Sequence, residues 1–422
     1  MSDILLNVKD PTHSFNDVVS DPQIVKLYKS NDSVYAYFKS HYFELLDYSL
    51  GHHNSTYGYT SYEILILGDT DILEPILKSK IFFNRAIEII NSKNSESFLI
   101  GRLSHIMLTS FLFLPDLSIN TFSFIIQLLQ FSSNTSVLDL FANIVSKEDC
   151  FSKVQSWLLK IGFIDQIISE LNSIDYEYVS NEQIQYFDVV YEKVFGLYFI
   201  LRKCSLSSIF SDNLYCKDMI QILTKSFVNH PLYVENARWE TILVLTTKKT
   251  SKIMLPIVPD VIEVIKKDVD VLPAYVVFAI EIVSKMMDFS AKAADIVFES
   301  RVLIDILNLV KKFCSCTELF KSFHKFIESF LKYTKKITQK MLQILLQFIL
   351  DFAKTRENKV LAPFCIGFLE LLIDAGERNK KILKAINHCE GCREFINGEY
   401  VECKKIVDAN YGFDMELTDE QN

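Results

Sequence analysis

The chain has 422 residues, of which 49% are hydrophobic and 23% are charged, so it can bury a large core and is not an unfolded tail. Glycine (11 residues) and proline (9 residues) fall well below their usual shares of about 7% and 5%, which favours helices over turn-rich sheets. A net charge of −9 provides no general cationic field, so nucleic acid is not an expected partner.

The amino-terminal residues lack the features of a secretion signal. Residues 1–15 contain Asp3, Lys9 and Asp10 and no continuous apolar run. We therefore expect a cytoplasmic or nuclear protein. In those compartments its nine cysteines stay reduced, and no disulfide is predicted.

The polar ends of the chain separate it into three predicted parts. Residues 1–20 are predicted to be a flexible segment and residues 411–422 an acidic tail. The range between them, 21–410, is predicted to form a single helical-repeat domain, because helical arrays escape the usual limit on domain size.

Apolar residues recur with helical spacing along most of the chain. Helices are predicted over 34–49, 71–91, 96–113, 118–131, 136–146, 182–202, 214–229, 234–247, 273–288, 302–313, 319–331, 341–349 and 361–375. Uncharged stretches at 103–114 and 117–128 are interrupted by Pro115 and Asp116. Neither reaches the roughly 20 residues of a membrane span, so both are predicted to be buried helices.

The clearest example of the pattern follows the helix at 136–146. Val154, Trp157 and Leu158 are predicted to form the buried stripe of a second helix, which Gly162 ends before a third helix begins. Such groups of helices return about every 40 residues, the period of HEAT and armadillo repeats. The predicted fold class is all-α, a right-handed superhelical solenoid of HEAT/armadillo-like helical repeats. Most of the 33 phenylalanines and 19 tyrosines should fill seams between helices.

The glycine spacing excludes several catalytic motifs. No two glycines lie closer than seven residues, whereas a dinucleotide fingerprint, a phosphate-binding loop and a nucleophile elbow all need closer pairs. No histidine is followed by glutamate, which also excludes the HExxH zinc helix. We predict a protein without catalytic residues, cofactor or metal.

Two short patterns bear on metal binding. Asp69 and Asp71 resemble the acidic turn of a phosphatase metal centre, but no second metal motif accompanies them, and Asp69 or Thr70 is predicted to cap the next helix. The other pattern contains a single CxxC, whereas structural zinc sites usually have two, so ordinary thiols are predicted. Its residues are His388, Cys389, Cys392 and Cys403.

The remaining polar clusters are predicted to have no function. His52 and His53 lie in a polar turn, and Cys314 and Cys316 are spaced so that they cannot share one helix face. Short basic runs between helices are predicted to be solvated connectors or helix ends. These runs are Lys248, Lys249 and Lys252, and Lys335 and Lys336.

One stretch carries a family resemblance. Residues 154–168 read VQSWLLKIGFIDQII, in which Trp157 and Leu158 precede a charged turn and then Ile167 and Ile168. This arrangement resembles a helix of the SAPS domain, the regulatory-subunit family of protein phosphatase 6 and its yeast counterpart.

Further stretches resemble the same family over roughly residues 20 to 410. YTSYEIL at 59–65 and RLSHIM at 102–107 are similar to its early helix pair. Residues 272–331 follow the order of its second half, and 395–409 are similar to its closing charged helix. The acidic extension of the family is almost missing.

The resemblance implies a non-catalytic subunit that binds the catalytic subunit of a type 6 serine/threonine phosphatase and directs its substrate choice or location. It also implies a chain that is monomeric before complex formation and that allows a third, substrate-recruiting subunit. No short family motif assigns phosphatase-contacting residues, so the protein-binding residues stay unassigned.

Two other interpretations remain open at this point. A HEAT or armadillo adaptor in transport or vesicle traffic would share the fold, the charge and the lack of motifs. An enzyme with an unrecognised site is the third. Proteins that co-purify with the chain distinguish the phosphatase subunit from the transport adaptor. Catalytic turnover by the isolated chain would indicate an enzyme.

Overall fold

The computed structural model describes residues 14–51, 56–92, 96–146, 148–174, 184–225, 231–355, 361–402 and 404–405. These residues form helices joined by short turns, and no β-strand occurs in any of these ranges. The chain divides into two compact units, Met1–Leu245 and Thr246–Asn422. The boundary between them falls inside the range 21–410 that the sequence predicts as one domain.

Unit 1 contains sixteen described α-helices and one 3-10 helix. In chain order they are α1 (Phe15–Val19), α2 (Ile24–Tyr28), α3 (Asp32–Ser40), α4 (Tyr42–Ser49), α5 (Thr56–Leu65), α6 (Thr70–Lys78), α7 (Lys80–Asn91), α8 (Ser97–Phe113), α9 (Pro115–Thr121), the 3-10 helix (Ile125–Phe131), α10 (Thr135–Ser146), α11 (Glu148–Lys160), α12 (Phe163–Asn172), α13 (Ile184–Cys204), α14 (Ser208–Leu214), α15 (Lys217–Thr224) and α16 (Leu232–Leu245).

Unit 2 continues in the same manner. Its described elements are α17 (Ser251–Met254), a 3-10 turn (Leu255–Ile257), α18 (Val258–Lys266), α19 (Ala274–Phe289), α20 (Ala291–Ser300), α21 (Val302–Lys312), α22 (Thr317–Leu331), α23 (Gln339–Thr355), α24 (Leu361–Arg378), α25 (Lys380–His388), α26 (Cys392–Phe395) and a π-helical turn (Ile396–Tyr400).

Short polar side chains fix the starts of several helices. Asn31 Oδ1 accepts backbone hydrogen bonds from Ser33 at 3.0 Å and Val34 at 3.3 Å at the start of α3. Asp69 Oδ1 accepts from the Asp71 amide at 2.9 Å at the start of α6. Each bond satisfies an amide that has no partner within the helix. The sequence predicts that Asp69 or Thr70 caps this helix, and the capping residue is Asp69.

The longer helices pack side by side in chain order. In unit 1, α5, α8, α10, α13 and α16 form a row in which each helix contacts the next one. In unit 2, α19, α22 and α24 form a row in the same way. We call these the row helices. Shorter helices between them complete each repeat, as in HEAT and armadillo proteins.

Hydrogen bonds between successive repeats display the period directly. The hydroxyl of Tyr62 on α5 bonds to His105 on α8, 43 residues later. Thr121 Oγ1 donates to the Leu77 carbonyl, 44 residues earlier, at 3.2 Å. In unit 2, equivalent bonds also join residues 44 apart. The predicted period of about 40 residues and the predicted all-α helical-repeat fold class are confirmed.

Aromatic rings fill the seams between helices, as predicted. In unit 1, the Phe122 ring lies 5.4 Å from that of Phe82, 5.1 Å from Phe111 and 6.0 Å from Phe124. All four side chains are buried. Rings at such separations add to the stabilisation that burial of their apolar area provides.

One close crossing in unit 1 depends on a glycine. Gly196, in the middle of α13, lies against the backbone of Ser132, and a Cβ atom at this position would stand 2.0 Å from the Ser132 carbonyl oxygen. Ser132 Oγ also donates to the Lys193 carbonyl of α13 at 2.9 Å. The absent side chain therefore lets α13 approach the residues that precede α10.

A buried polar group connects three neighbouring elements of unit 1. Gln155 of α11 is fully buried, and its Nε2 donates to the Ile144 carbonyl of α10 at 2.7 Å. Gln155 Oε1 accepts a hydrogen bond from Ser207 Oγ at 2.8 Å. Ser207 Oγ itself accepts from the Ile209 amide at the start of α14. Because every one of these polar atoms has a partner, the network positions the helices relative to each other without an unsatisfied buried group.

Three predicted helices are each divided into two elements in the structure. Two others have different bounds, since 214–229 is observed as α15 (Lys217–Thr224) and 341–349 as α23 (Gln339–Thr355). The range 34–49 is broken at His41 into α3 and α4, and 71–91 is broken at Ser79, whose backbone is extended, into α6 and α7. Ser79 Oγ donates to the Ile76 carbonyl at 2.7 Å, which satisfies the end of α6. The predicted helix 118–131 is instead the end of α9 followed by a 3-10 helix. Apolar periodicity continues across such breaks and does not reveal them.

The predicted flexible segment 1–20 contains a described helix. Ser14 Oγ accepts from the Asp17 amide and the Asp17 carboxylate accepts from the Ser14 amide, forming a capping box at the start of α1. Val18 and Val19 are buried in unit 1. The predicted acidic tail, 411–422, lies outside the described residues.

Candidate protein-binding surface

Aromatic side chains surround an arginine between row helices α5 and α8. The first aromatic cluster consists of Tyr59, Tyr62, Phe98, Arg102 and His105. The Arg102 guanidinium carbon lies 5.7 Å from the centre of the Tyr62 ring and 4.9 Å from that of Phe98. Such stacking holds the cation by its attraction to the ring faces.

Two hydrogen bonds hold the side chains of this cluster in place. Arg102 is only 6% exposed, and its Nη1 donates to the Ser49 carbonyl at 3.2 Å. Burial lowers the pKa of Arg102, but a guanidinium remains protonated at neutral pH. Tyr62 and His105 share a hydrogen bond, and Tyr59, one turn away, is 53% exposed. The cluster therefore consists of side chains held by hydrogen bonds and stacking, with the Tyr59 ring exposed to solvent.

A second cluster lies between row helices α13 and α16. The second aromatic cluster consists of Val189, Glu192, Phe195, Leu232 and Tyr233. The rings of Phe195 and Tyr233 are 5.7 Å apart in an edge-to-face arrangement. Val189, Leu232 and Tyr233 are 59%, 54% and 40% exposed. Exposed apolar side chains grouped in this way are typical of protein-binding surfaces.

The tyrosine of this cluster is held in its neutral form. Partial burial and its hydrogen bond to the Glu192 carboxylate raise the pKa of Tyr233 to about 12. The hydroxyl therefore donates to Glu192 at any physiological pH. This bond orients the ring while leaving its outer edge available for a partner.

Trp157, predicted as part of a buried stripe, is only half-buried. Val154 and Leu158 on the same helix are fully buried as predicted, but Trp157 packs at the edge, with its ring 6.1 Å from that of Phe111. It lines an open groove of about 440 Å³ between α9 and α11. The groove is formed by Ile119, Ser152, Lys153, Ser156, Trp157 and Lys160.

The structure describes three of the four residues of the cysteine cluster near the chain end, His388, Cys389 and Cys392. Cys392 is buried, and burial raises its pKa to about 11. His388 Nδ1 bonds to the Lys384 carbonyl of its own helix at 2.8 Å. Cys403 lies outside the described residues, as do His52 and His53. In the part of the chain that the structure describes, no three His, Cys, Asp or Glu side chains are grouped so as to hold a metal ion.

The two aromatic clusters were not identified from the sequence. Tyr59, Tyr62, Arg102 and His105 occur in the stretches YTSYEIL and RLSHIM, which carried only the family resemblance. Tyr62 and His105 are 43 residues apart, which is one repeat, and this spacing is the sequence signal that could have related them. Nothing local in the sequence distinguishes Tyr233 from a seam residue.

No family model and no curated protein matches the chain. Among solved structures, it is similar to an engineered protein from the Northeast Structural Genomics Consortium, with 11% identity, a TM-score of 0.51, and coverage of 92% of this chain and 100% of that one. Weaker similarity extends to importin beta (13% identity, TM-score 0.45) and to Kap121p bound to Ste12p (10% identity, TM-score 0.47). The chain spans 57% and 46% of their lengths.

These similarities concern the fold alone. Within the described residues, no helix is both long and apolar enough to cross a bilayer. The described residues have a helical-repeat architecture.

Proposed function

We propose that this chain is a non-catalytic regulatory subunit that binds the catalytic subunit of a type 6 serine/threonine phosphatase and directs its substrate choice or location. The observation that carries the proposal is the row of long helices in unit 1 with two aromatic clusters on its surface. The resemblance of residues 154–168 to the SAPS domain supplies the identity of the partner. The complex would act in the cytoplasm or the nucleus.

The chemistry of the clusters suits recognition of a folded protein. Tyrosine and arginine are the residues that most often dominate the free energy of binding at protein interfaces. A standard interface buries about 800 Å² on each partner, an area that a row of several helices can provide. Tyr62 and Tyr233 are already held by hydrogen bonds to His105 and Glu192, so their rings lose little side-chain entropy on binding.

Affinity purification of the full chain tests this proposal. Wild-type protein should capture a phosphatase catalytic subunit, and Tyr59→Ala combined with Tyr233→Ala should reduce capture at least about tenfold. Phe43→Ala is the matched control, because Phe43 is 39% exposed but lies on α4, outside the row helices. Its capture should equal that of the wild type.

Two results would contradict the proposal. Capture of transport receptors or coat proteins without any phosphatase would instead indicate an adaptor in transport or vesicle traffic. Hydrolysis of a phosphopeptide by the purified chain alone would contradict a non-catalytic role.

A further inference from the structure

The turn between α22 and α23 is strongly basic. Lys335 and Lys336 lie in this turn, and Lys340 follows in the first turn of α23. The sequence predicts that Lys335 and Lys336 are a solvated connector or a helix end. The tertiary structure adds further lysines from two other helices.

Two contacts bring those helices to the turn. Lys336 Nζ approaches the Ala291 carbonyl at 3.5 Å, which places the start of α20, and with it Lys292, beside the turn. Lys381 Nζ donates to the Ile337 carbonyl, which places the start of α25 there as well. We define the lysine patch as Lys292, Lys335, Lys336, Lys340, Lys380 and Lys381.

The helix ends make this arrangement more positive. The amino terminus of an α-helix carries about half a positive charge, so acidic residues are favoured there and lysines are disfavoured. The first turns of α20, α23 and α25 contain no acidic residue, yet each contains a lysine. The like charges therefore act against folding at three neighbouring helix starts, and a bound anion would relieve this repulsion.

Nearby carboxylates neutralise only part of the patch. Asp295 pairs with Lys336, and Asp288 accepts from the adjacent Lys332 at 2.8 Å. Glu377 is exposed near the start of α25. Four exposed lysines of the patch have side chains without a hydrogen-bond or ion-pair partner among the described residues: Lys292, Lys335, Lys340 and Lys380. The patch keeps a positive excess.

The helix starts are already capped, which argues against a single phosphate as the ligand. Ser290 Oγ accepts from the Ala293 amide at 3.3 Å, and Thr338 Oγ1 from the Met341 amide at 3.2 Å. The Asn379 side chain caps α25 in the same way. The available charge is therefore spread over long, mobile side chains, which suit a ligand with several separate negative charges.

We propose that the lysine patch binds an acidic segment of a partner protein, rich in aspartate and glutamate. Leu383, 45% exposed on α25, supplies one apolar contact beside the charges, enough for a peptide but fewer than the several large apolar side chains that insert into a membrane. The neighbouring aromatic residue, Tyr333, is partly buried, and its hydroxyl donates a hydrogen bond to the Met287 carbonyl at 2.5 Å. It is not an open stacking platform for single-stranded nucleic acid.

The charge distribution along the chain favours a short ligand. Unit 1 contains 18 Lys and Arg against 28 Asp and Glu, whereas unit 2 contains 26 against 25. Screening limits the attraction of exposed charges to about 8 Å at physiological salt. A short acidic segment can lie on the patch alone. A long polyanion would also extend over the rest of this acidic chain, where its charges find no attraction. The inference does not depend on phosphatase binding.

Binding of a fluorescein-labelled peptide of alternating Asp and Glu with one Leu tests the proposal on the full chain. The variant Lys335→Glu/Lys340→Glu/Lys380→Glu should bind at least about tenfold more weakly than the wild type in an anisotropy titration. The matched control is Lys248→Glu/Lys252→Glu/Lys311→Glu, which makes the same charge change at exposed lysines of the same unit. It should bind like the wild type.

Three results would overturn the proposal. The first is an equal loss of peptide affinity in the patch variant and the control variant. The second is a neutral Asn/Gln analogue that binds the wild type as tightly as the acidic peptide does. The third is patch-dependent binding of phosphatidylserine vesicles or single-stranded DNA without binding of the peptide. Phosphatase capture by the patch variant is measured in parallel, so that failure of this inference is distinguishable from failure of the proposed function.

Discussion

Two tryptophans of unit 1 have different surroundings. Trp239 on α16 is 6% exposed, and its Nε1 donates to Glu235 at 2.8 Å, while the Arg238 guanidinium lies 5.4 Å from its ring. Trp157 on α11 borders an open groove. The residue type is the same, so the two positions compare a core ring with a surface ring.

Alanine at these positions should therefore have unequal effects. Trp239→Ala removes a buried ring and should lower the free energy of unfolding by about 3 to 5 kcal/mol. Trp157→Ala should lower it by only about 1 to 2 kcal/mol, because much of its ring is already solvated. Urea denaturation followed by circular dichroism measures both. Equal losses would mean that Trp157 is a core residue, as its spacing in the sequence indicates.

At the scale of the element, the approach of α13 to the segment before α10 is controlled by one missing side chain. Gly196→Ala would place a methyl group against the Ser132 backbone, which has no freedom to rotate away. We expect a loss of about 3 kcal/mol or more in the free energy of unfolding, since the helix must shift.

A second helical glycine provides the control for this variant. Gly367, within α24, has no atom within 4 Å of the position that a Cβ would occupy. Gly367→Ala should leave stability unchanged or raise it by up to about 1 kcal/mol, because alanine is the better helix former. If the two variants had the same denaturation midpoint, the close crossing at Gly196 would not determine the packing of α13.

At the scale of the whole molecule, helical repeats confine the effects of a mutation. Each row helix contacts its neighbours along the chain, so stability is approximately a sum of local contributions. Gly196→Ala should accelerate amide hydrogen exchange in α10 and α13, as measured by mass spectrometry. Exchange in α19 and α22 of unit 2 should stay at the wild-type rate. Faster exchange in both units would show that the chain opens as one cooperative body.

The fold was largely predictable from the sequence because helical faces are local. Val154 and Leu158 lie on the buried face that their spacing predicts, and Asp69 caps α6 through an amide two residues away. The breaks at His41 and Ser79 were missed because the apolar pattern continues across them. The site was hardly predictable, since Tyr62 and His105 belong to different repeats.

The sequence alone determines that this protein is a helical repeat, because helix periodicity, capping and the scarcity of glycine act over a few residues. Only the tertiary structure decides which side chains remain on the surface. It leaves Trp157 at the edge of a groove, stacks Arg102 between two rings, and gathers lysines from the starts of three helices. The physical reason is that burial of a residue beyond its own helix depends on the neighbouring repeat, which lies about 40 residues away in the sequence.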